Sequence, residues 1–319
     1  MLSRVADSLY WMSRYLERAE HTARLLDVQL NLMLEQSHDA GNERWLRLLH
    51  SLNPQPAGEA ASLQDVPRGL ALNADNPASI IACIMVARDN ARQVREQISS
   101  EMWEQLNELY LDVLRARADE RSQAEPHAFF QAVKQGAHLF QGITDSTMNH
   151  GEGWHFIQLG RSLERMNATA LLLDAHFAAF PGEATRELRA REYLEWLGLL
   201  KSCTAFEAYC KVYTADLRPD RIAEFLLLHA NFPRSVRFAA EVVHVCLSAL
   251  ADFTQSSKSG RANRLAGRLR AALSFDQIDE IIADDLHRYL GDVQRQGAQI
   301  HSSVYQLYVS YPIESAIGA

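Results

Sequence analysis

Apolar residues at the start of the chain fall on a single stripe. Leu2, Val5, Leu9, Met12, Leu16, Ala19, Ala23, Leu26, Leu30 and Met33 recur at alternating steps of three and four. That spacing marks one face of a long helix suited to packing in a bundle. The pattern predicts a helix to about Gln36, a loop near His38–Asn42 and a short helix over Glu43–Leu52. The stretch NPQPAGEAAS reads as a loop. Further helices are predicted over about Ala78–Ile98, from Glu101 to Ala118, and from Pro126 onward.

A second stripe follows the break at NHGEG. Phe156, Leu159, Leu163, Met166, Ala170, Leu173 and Phe177 each stand 147 positions after a counterpart in the first stripe, as Arg161 stands after Arg14. The remaining pattern predicts helices over about Ala184–Tyr213, Pro219–Leu228, Pro233–Thr254, Arg261–Leu273 and Asp276–Ser310. The expectation is an all-α, multi-helix bundle built from two related, duplicated halves, 1–150 and 151–319. The two halves should pack as one body. A second landmark supports it: Asn76-Pro77-Ala78-Ser79-Ile80 resembles Phe232-Pro233-Arg234-Ser235-Val236 at a shift of 156.

The two stripes share polar residues as well. RYLERAEHTARLLD, from Arg14, matches RSLERMNATALLLD, from Arg161. Arg14, Glu17 and Arg18 thereby align with Arg161, Glu164 and Arg165, and Asp27 with Asp174. Arg14 and Glu17 share a helix face, and exposed they would stabilise by only about 0.3 kcal/mol. Buried, they would need full pairing and could line a polar site, with Arg holding a carboxylate or phosphate. A structural network and a ligand or partner site therefore both remain open. A second polar cluster, Arg88, Arg92, Trp103 and Asn107, is a further binding candidate; its plain alternative is an aromatic anchor with a hydrogen-bonded tip.

Composition narrows the function. The chain has 319 residues, 47% of them hydrophobic and 23% charged, with only 9 Pro and 15 Gly, which argues against an all-β fold. A net charge of -8 argues against nucleic acid as a main partner. Neither an apolar leader nor a stretch of membrane-spanning length is seen, so a cytoplasmic protein without membrane contact is expected. The four cysteines fit no zinc spacing and read as reduced, mostly buried thiols. Glu152/His155 and Glu241/His244 have the Glu-x-x-His spacing of di-iron bundles. The glycines beside Glu152 and the abundance of His and acids make chance the better account, so no metal or other cofactor is expected.

MLSRVADSLYWMSRYLERAEHTARLLDV and GEGWHFIQLGRSLERMNATALLLD resemble the two motif blocks of the bacterial alpha-E family, helical proteins named for a Glu-Arg motif. NPASIIACIMVARDNARQVREQISSEMWEQLNELY and AEFLLLHANFPRSVRF resemble two more blocks. One departure is Met166-Asn167, where the first copy has Ala19-Glu20, and this argues against two equivalent sites. The resemblance implies a gene context rather than an activity: a circularly permuted ATP-grasp ligase, with a transglutaminase-like peptidase and a proteasome-like hydrolase nearby. The leading expectation is a helical accessory or substrate-binding subunit for an ATP-grasp amide or peptide ligase, with a small anionic or peptide ligand. The alternative is a stand-alone transferase or hydrolase with Glu17 or Glu164 as base, its pKa raised by burial, and Arg carboxylate clamps. A scaffold whose repeated pairs only lock helix register is a third reading.

Overall fold

The computed structural model describes residues 1, 3–34, 39–52, 65–118, 126–181, 190–254 and 260–309. Among them the fold is all helical. In chain order the helices are α1 (Ser3–Leu34), α2 (Asp39–Leu52), α3 (Val66–Leu72), α4 (Ile80–Gln93), α5 (Ser100–Ala118), α6 (Pro126–Thr147) and α7 (Glu152–Ala179). Then come α8 (Ala190–Ser202), α9 (Phe206–Tyr213), α10 (Pro219–Leu228), α11 (Val236–Phe253), α12 (Arg261–Phe275), α13 (Ile278–Asp284) and α14 (Leu286–Val304). A single π turn, Tyr305–Val309, extends α14. No helix among the described residues is long and apolar enough to cross a membrane.

The two sequence stripes form the centre. Leu9, Met12, Leu16, Ala19, Ala23 and Leu26 of α1 are buried, as are Phe156, Leu159, Leu163, Met166, Ala170 and Leu173 of α7. These helices pack along each other. α4 and α6 also cover α1, while α11 and α14 cover α7. Gly160 sets how closely α1 and α7 approach. A Cβ there would collide with the Tyr10 carbonyl oxygen and with Ser13 Oγ. Backbone cannot give way as a flexible side chain can. We expect Gly160→Ala to lower the unfolding free energy by about 1–3 kcal/mol. That loss outweighs the gain of roughly 1 kcal/mol that Ala brings to a helix interior. Urea denaturation with a far-UV readout checks it.

Several boundaries differ from the pattern, each for a local reason. The loop expected at His38–Asn42 is already helical from Asp39; Gln36 and His38 lie outside the described residues. α4 starts at Ile80 rather than Ala78, because Ser79 is its N-cap and its Oγ accepts from Ala82 N. It stops at Gln93, where Val94 leaves helical backbone. The expected helix over Ala184–Tyr213 is split after Ser202. Thr204 adopts φ 51°, Ala205 N donates to Leu200 O and Thr204 N to Lys201 O. This is a Schellman stop with threonine where glycine is usual, so the sequence carries no glycine to announce it. The last expected helix breaks at Asp285, whose side chain caps α14 by accepting from Arg288 N.

Matched positions in the two halves make matched contacts. Ser235 caps α11 as Ser79 caps α4: Oγ accepts from Phe238 N and donates to His229 O, while Ser79 Oγ donates to Asn73 O. Asp27 lies 2.6 Å from His127 Nδ1 on α6, and Asp174 also pairs with a histidine, His287 on α14.

Candidate functional site

The Glu-Arg phrases meet where α1 crosses α7. Glu17 and Glu164 face across the crossing, and each carboxylate is bound by arginine from the other helix. Arg165 Nε donates to Glu17 Oε1 and Nη2 to Oε2, both at 2.7 Å. In return Arg18 Nε donates to Glu164 Oε1 at 2.7 Å, and Arg14 Nε to Oε2 at 2.8 Å. The intrahelical Arg14–Glu17 pair that spacing allows is not the one formed. The stripe turns these residues toward the neighbouring helix, and interhelical pairing satisfies both carboxylate oxygens.

Burial decides what such carboxylates can do. Glu17 is 1% exposed and Glu164 8%. Burial alone pushes both carboxyls up. Arg165 and Arg234 outweigh it at Glu17, and Arg14 and Arg18 hold Glu164 at about 2. Both carboxyls are thus lowered, where the stand-alone alternative expected burial to raise one. A pH dependence follows. Glu164 has its folded pKa below the ordinary 4.5. Its stabilising contribution is full above that value and is lost as pH falls from there toward about 2. We expect Glu164→Gln to flatten acid-induced loss of stability across that window, measured by urea midpoints as a function of pH.

The arginines are held by aromatic rings. Arg14 lies 4.9 Å over Trp11 and donates to Tyr10 Oη, which is 2.8 Å from His301 Nδ1. Arg18 lies 5.2 Å over Tyr15. Arg161, the counterpart of Arg14, does not reach a carboxylate: it bonds Gln158, and its Nε has no partner among the described residues. Its place at Glu17 is taken by Arg234.

The sequence reading missed that residue. Arg234, in the turn before α11, pairs with Glu17 at 3.3 Å and with Glu20. Glu20 is wholly buried and also binds Arg24. Burial pushes the Glu20 carboxyl up, but Arg234 leads a set of partners that holds it well below its ordinary value. The counterparts of Arg234 and Glu20 are Ala78 and Asn167. One half of the crossing is thus filled by an ion pair that the other half lacks. In the other half a cavity of about 290 Å³ opens between Arg18, His21, Thr22, Glu164, Asn167 and the Pro77–Ala78 turn. Also missed was a second buried network, in which Arg44 and Arg47 of α2 share Glu195 of α8.

The second-rank candidates are not brought to the crossing. Arg88 donates twice to Asn107 Oδ1 at 3.2 Å and stacks on Trp103 and Tyr110. Arg92 stays exposed beside Asp89. This α4–α5 cluster has the form of a hydrogen-bonded aromatic anchor. Of the Glu-x-x-His pairs, Glu152 binds the Met1 amine at 2.8 Å and Glu241 binds Arg270 at 2.6 Å. No three His, Cys, Asp or Glu side chains converge as metal ligands among the described residues. Cys83, Cys203 and Cys246 are buried free thiols, pushed up to about 12 by burial.

A family model described as a predicted alpha-helical domain with a conserved ER motif matches residues 1–309. The chain belongs to the Alpha-E family. The ER dipeptides of that description stand here as Glu17-Arg18 and Glu164-Arg165, the groups exchanged across the crossing. Among relatives, the uncharacterised proteins Rv2567 of Mycobacterium tuberculosis (strain H37Rv) and Mb2597 of Mycobacterium bovis are each 25% identical over 325 residues. The alignment covers 94% of this Alpha-E chain and 35% of each relative, so the chain spans about a third of their length. No solved structure matches it.

Proposed function

We propose that this Alpha-E chain is a helical accessory or substrate-binding subunit that works beside an ATP-grasp amide or peptide ligase. One observation carries the binding part of this reading. The carboxylates of the motif are spent on arginines, which suits a rigid binding frame rather than proton transfer, while a cavity opens beside Glu164. The ligase part rests on the gene context that the family resemblance implies. It fits with relatives in which the matching region is 35% of a longer chain. ATP activation then belongs to the partner. Free buried thiols suit a reducing, cytoplasmic compartment.

We also infer that the bundle arose by duplication of one helical unit. The reciprocal Glu17–Arg165 and Glu164–Arg18 pairs, the Ser79 and Ser235 caps and the Asp27 and Asp174 partners support it.

Tagged protein purified from its native host at endogenous level is expected to bring an ATP-grasp ligase with it, identified by mass spectrometry. The isolated chain is expected to show no ATP turnover. Intrinsic ATP turnover that falls on Glu164→Gln in a folded protein would overturn the reading in favour of an enzyme.

A further inference from the structure

The two halves of the crossing differ in one concerted way. In the filled half, the Arg234 guanidinium lies between Glu17 and Glu20, and the Arg234 carbonyl accepts from Thr169 Oγ1 at 3.0 Å. In the open half the corresponding residues are Ala78, Glu164, Asn167 and Thr22. No arginine enters from the turn, and the Thr22 hydroxyl finds no partner among the described residues. Thr22 is nevertheless fully buried. His21, 5% exposed, leaves Nε2 without a partner as well. Both residues contribute to the cavity wall, with Thr22 Oγ1 and His21 Nε2 themselves just beneath its surface. Buried polar atoms are costly to leave unpaired, so two of them beside one cavity single out this half of the crossing.

Charge tells what that something is. Around the open half stand two guanidinium groups, Arg14 and Arg18, and one carboxylate, Glu164. Asn167, where the filled half has Glu20, supplies no second negative charge. Arg18 spends only Nε on Glu164, and its side chain keeps 31% exposure beside the cavity. Its terminal nitrogens carry no hydrogen bond among the described residues and can present a fork to an anion. Glu164 beside it disfavours a dianion, which selects a monoanion. The volume, about 290 Å³, is at the small end for ligand pockets, and Leu171, Leu52 and Ala168 give it an apolar wall.

We propose that this cavity binds a small monocarboxylate of amino-acid or dipeptide size, its carboxylate held by the Arg18 terminal nitrogens, with the Asn167 amide meeting another polar group and Thr22 and His21 forming the wall behind it. The filled half is then the same frame closed permanently by Arg234. The proposal rests on the substrate-binding part of the reading above and is independent of the ligase.

Calorimetric titration of the full chain with a panel of free amino acids and dipeptides, each matched with its C-terminal amide, tests it. At least one free-acid probe is expected to bind, with its amide at least tenfold weaker and inorganic phosphate weaker still. Ala78→Arg with Asn167→Glu rebuilds the filled half and is expected to weaken binding at least tenfold. Asn167→Asp alone, which adds charge without filling space, is expected to do the same. Circular dichroism establishes that each variant is folded. No binding by any free-acid probe, amides binding equally, phosphate binding more tightly, or unchanged binding in a folded variant would overturn the proposal. None of these results bears on whether a ligase co-purifies, so the two readings fail separately.

Discussion

Replacing Arg234 with alanine is expected to lower the unfolding free energy by about 3–5 kcal/mol, the range for removing one partner of a buried ion pair. The residue is 7% exposed, and it neutralises Glu17 and Glu20, which are 1% and 0% exposed. Without it, Glu20 keeps Arg24 and Glu17 keeps Arg165, but two buried carboxylates lose their shared cation. A domain is typically stable by about 5–15 kcal/mol, so the loss is a large part of the whole. Urea denaturation at neutral pH measures it. A change below about 1 kcal/mol would mean that Arg234 is not the closing element of the filled half.

The second large effect is a difference between equivalent residues. Glu17→Ala is expected to cost more than Glu164→Ala, by about 1–3 kcal/mol. Removing Glu17 leaves Arg165 without its carboxylate and Arg234 with Glu20 alone, in the half that the Arg234–Glu20 pair fills. Removing Glu164 leaves Arg14 and Arg18 without their shared carboxylate, but Arg18 borders the cavity and can turn its head into open space. Equal losses in parallel urea titrations would count against the asymmetry between the halves.

These effects were only partly legible in the sequence. The two stripes placed α1 and α7 correctly because a long apolar repeat admits one reading at period 3.6. The Pro219–Leu228 helix was equally plain, with proline at its first turn. Pairing was not legible, since spacing along one helix says nothing about the helix across from it. Arg14 and Glu17 looked like partners and instead cross to different partners on α7 and in the turn before α11. Arg234 was hidden in a turn far from the motif. A signal for it did exist. The internal match departs at Glu20 against Asn167 and at Arg234 against Ala78, and these two departures are the two ends of one ion pair. An acid and a base that appear together in only one of two matched segments point to contact. Arg44, Arg47 and Glu195 offered no such hint, since nothing in the internal repeat singles them out.

The account stands on the motif glutamates being ionised anchors of the α1–α7 crossing rather than proton carriers. Carbon-13 NMR of glutamate side-chain carboxyls, assigned with Glu17→Gln and Glu164→Gln, reads this directly. Both midpoints should fall below 4.5, the ordinary carboxyl value, with Glu164 titrating toward about 2. A midpoint above 4.5 for either carboxyl would contradict the account and restore it as a candidate base.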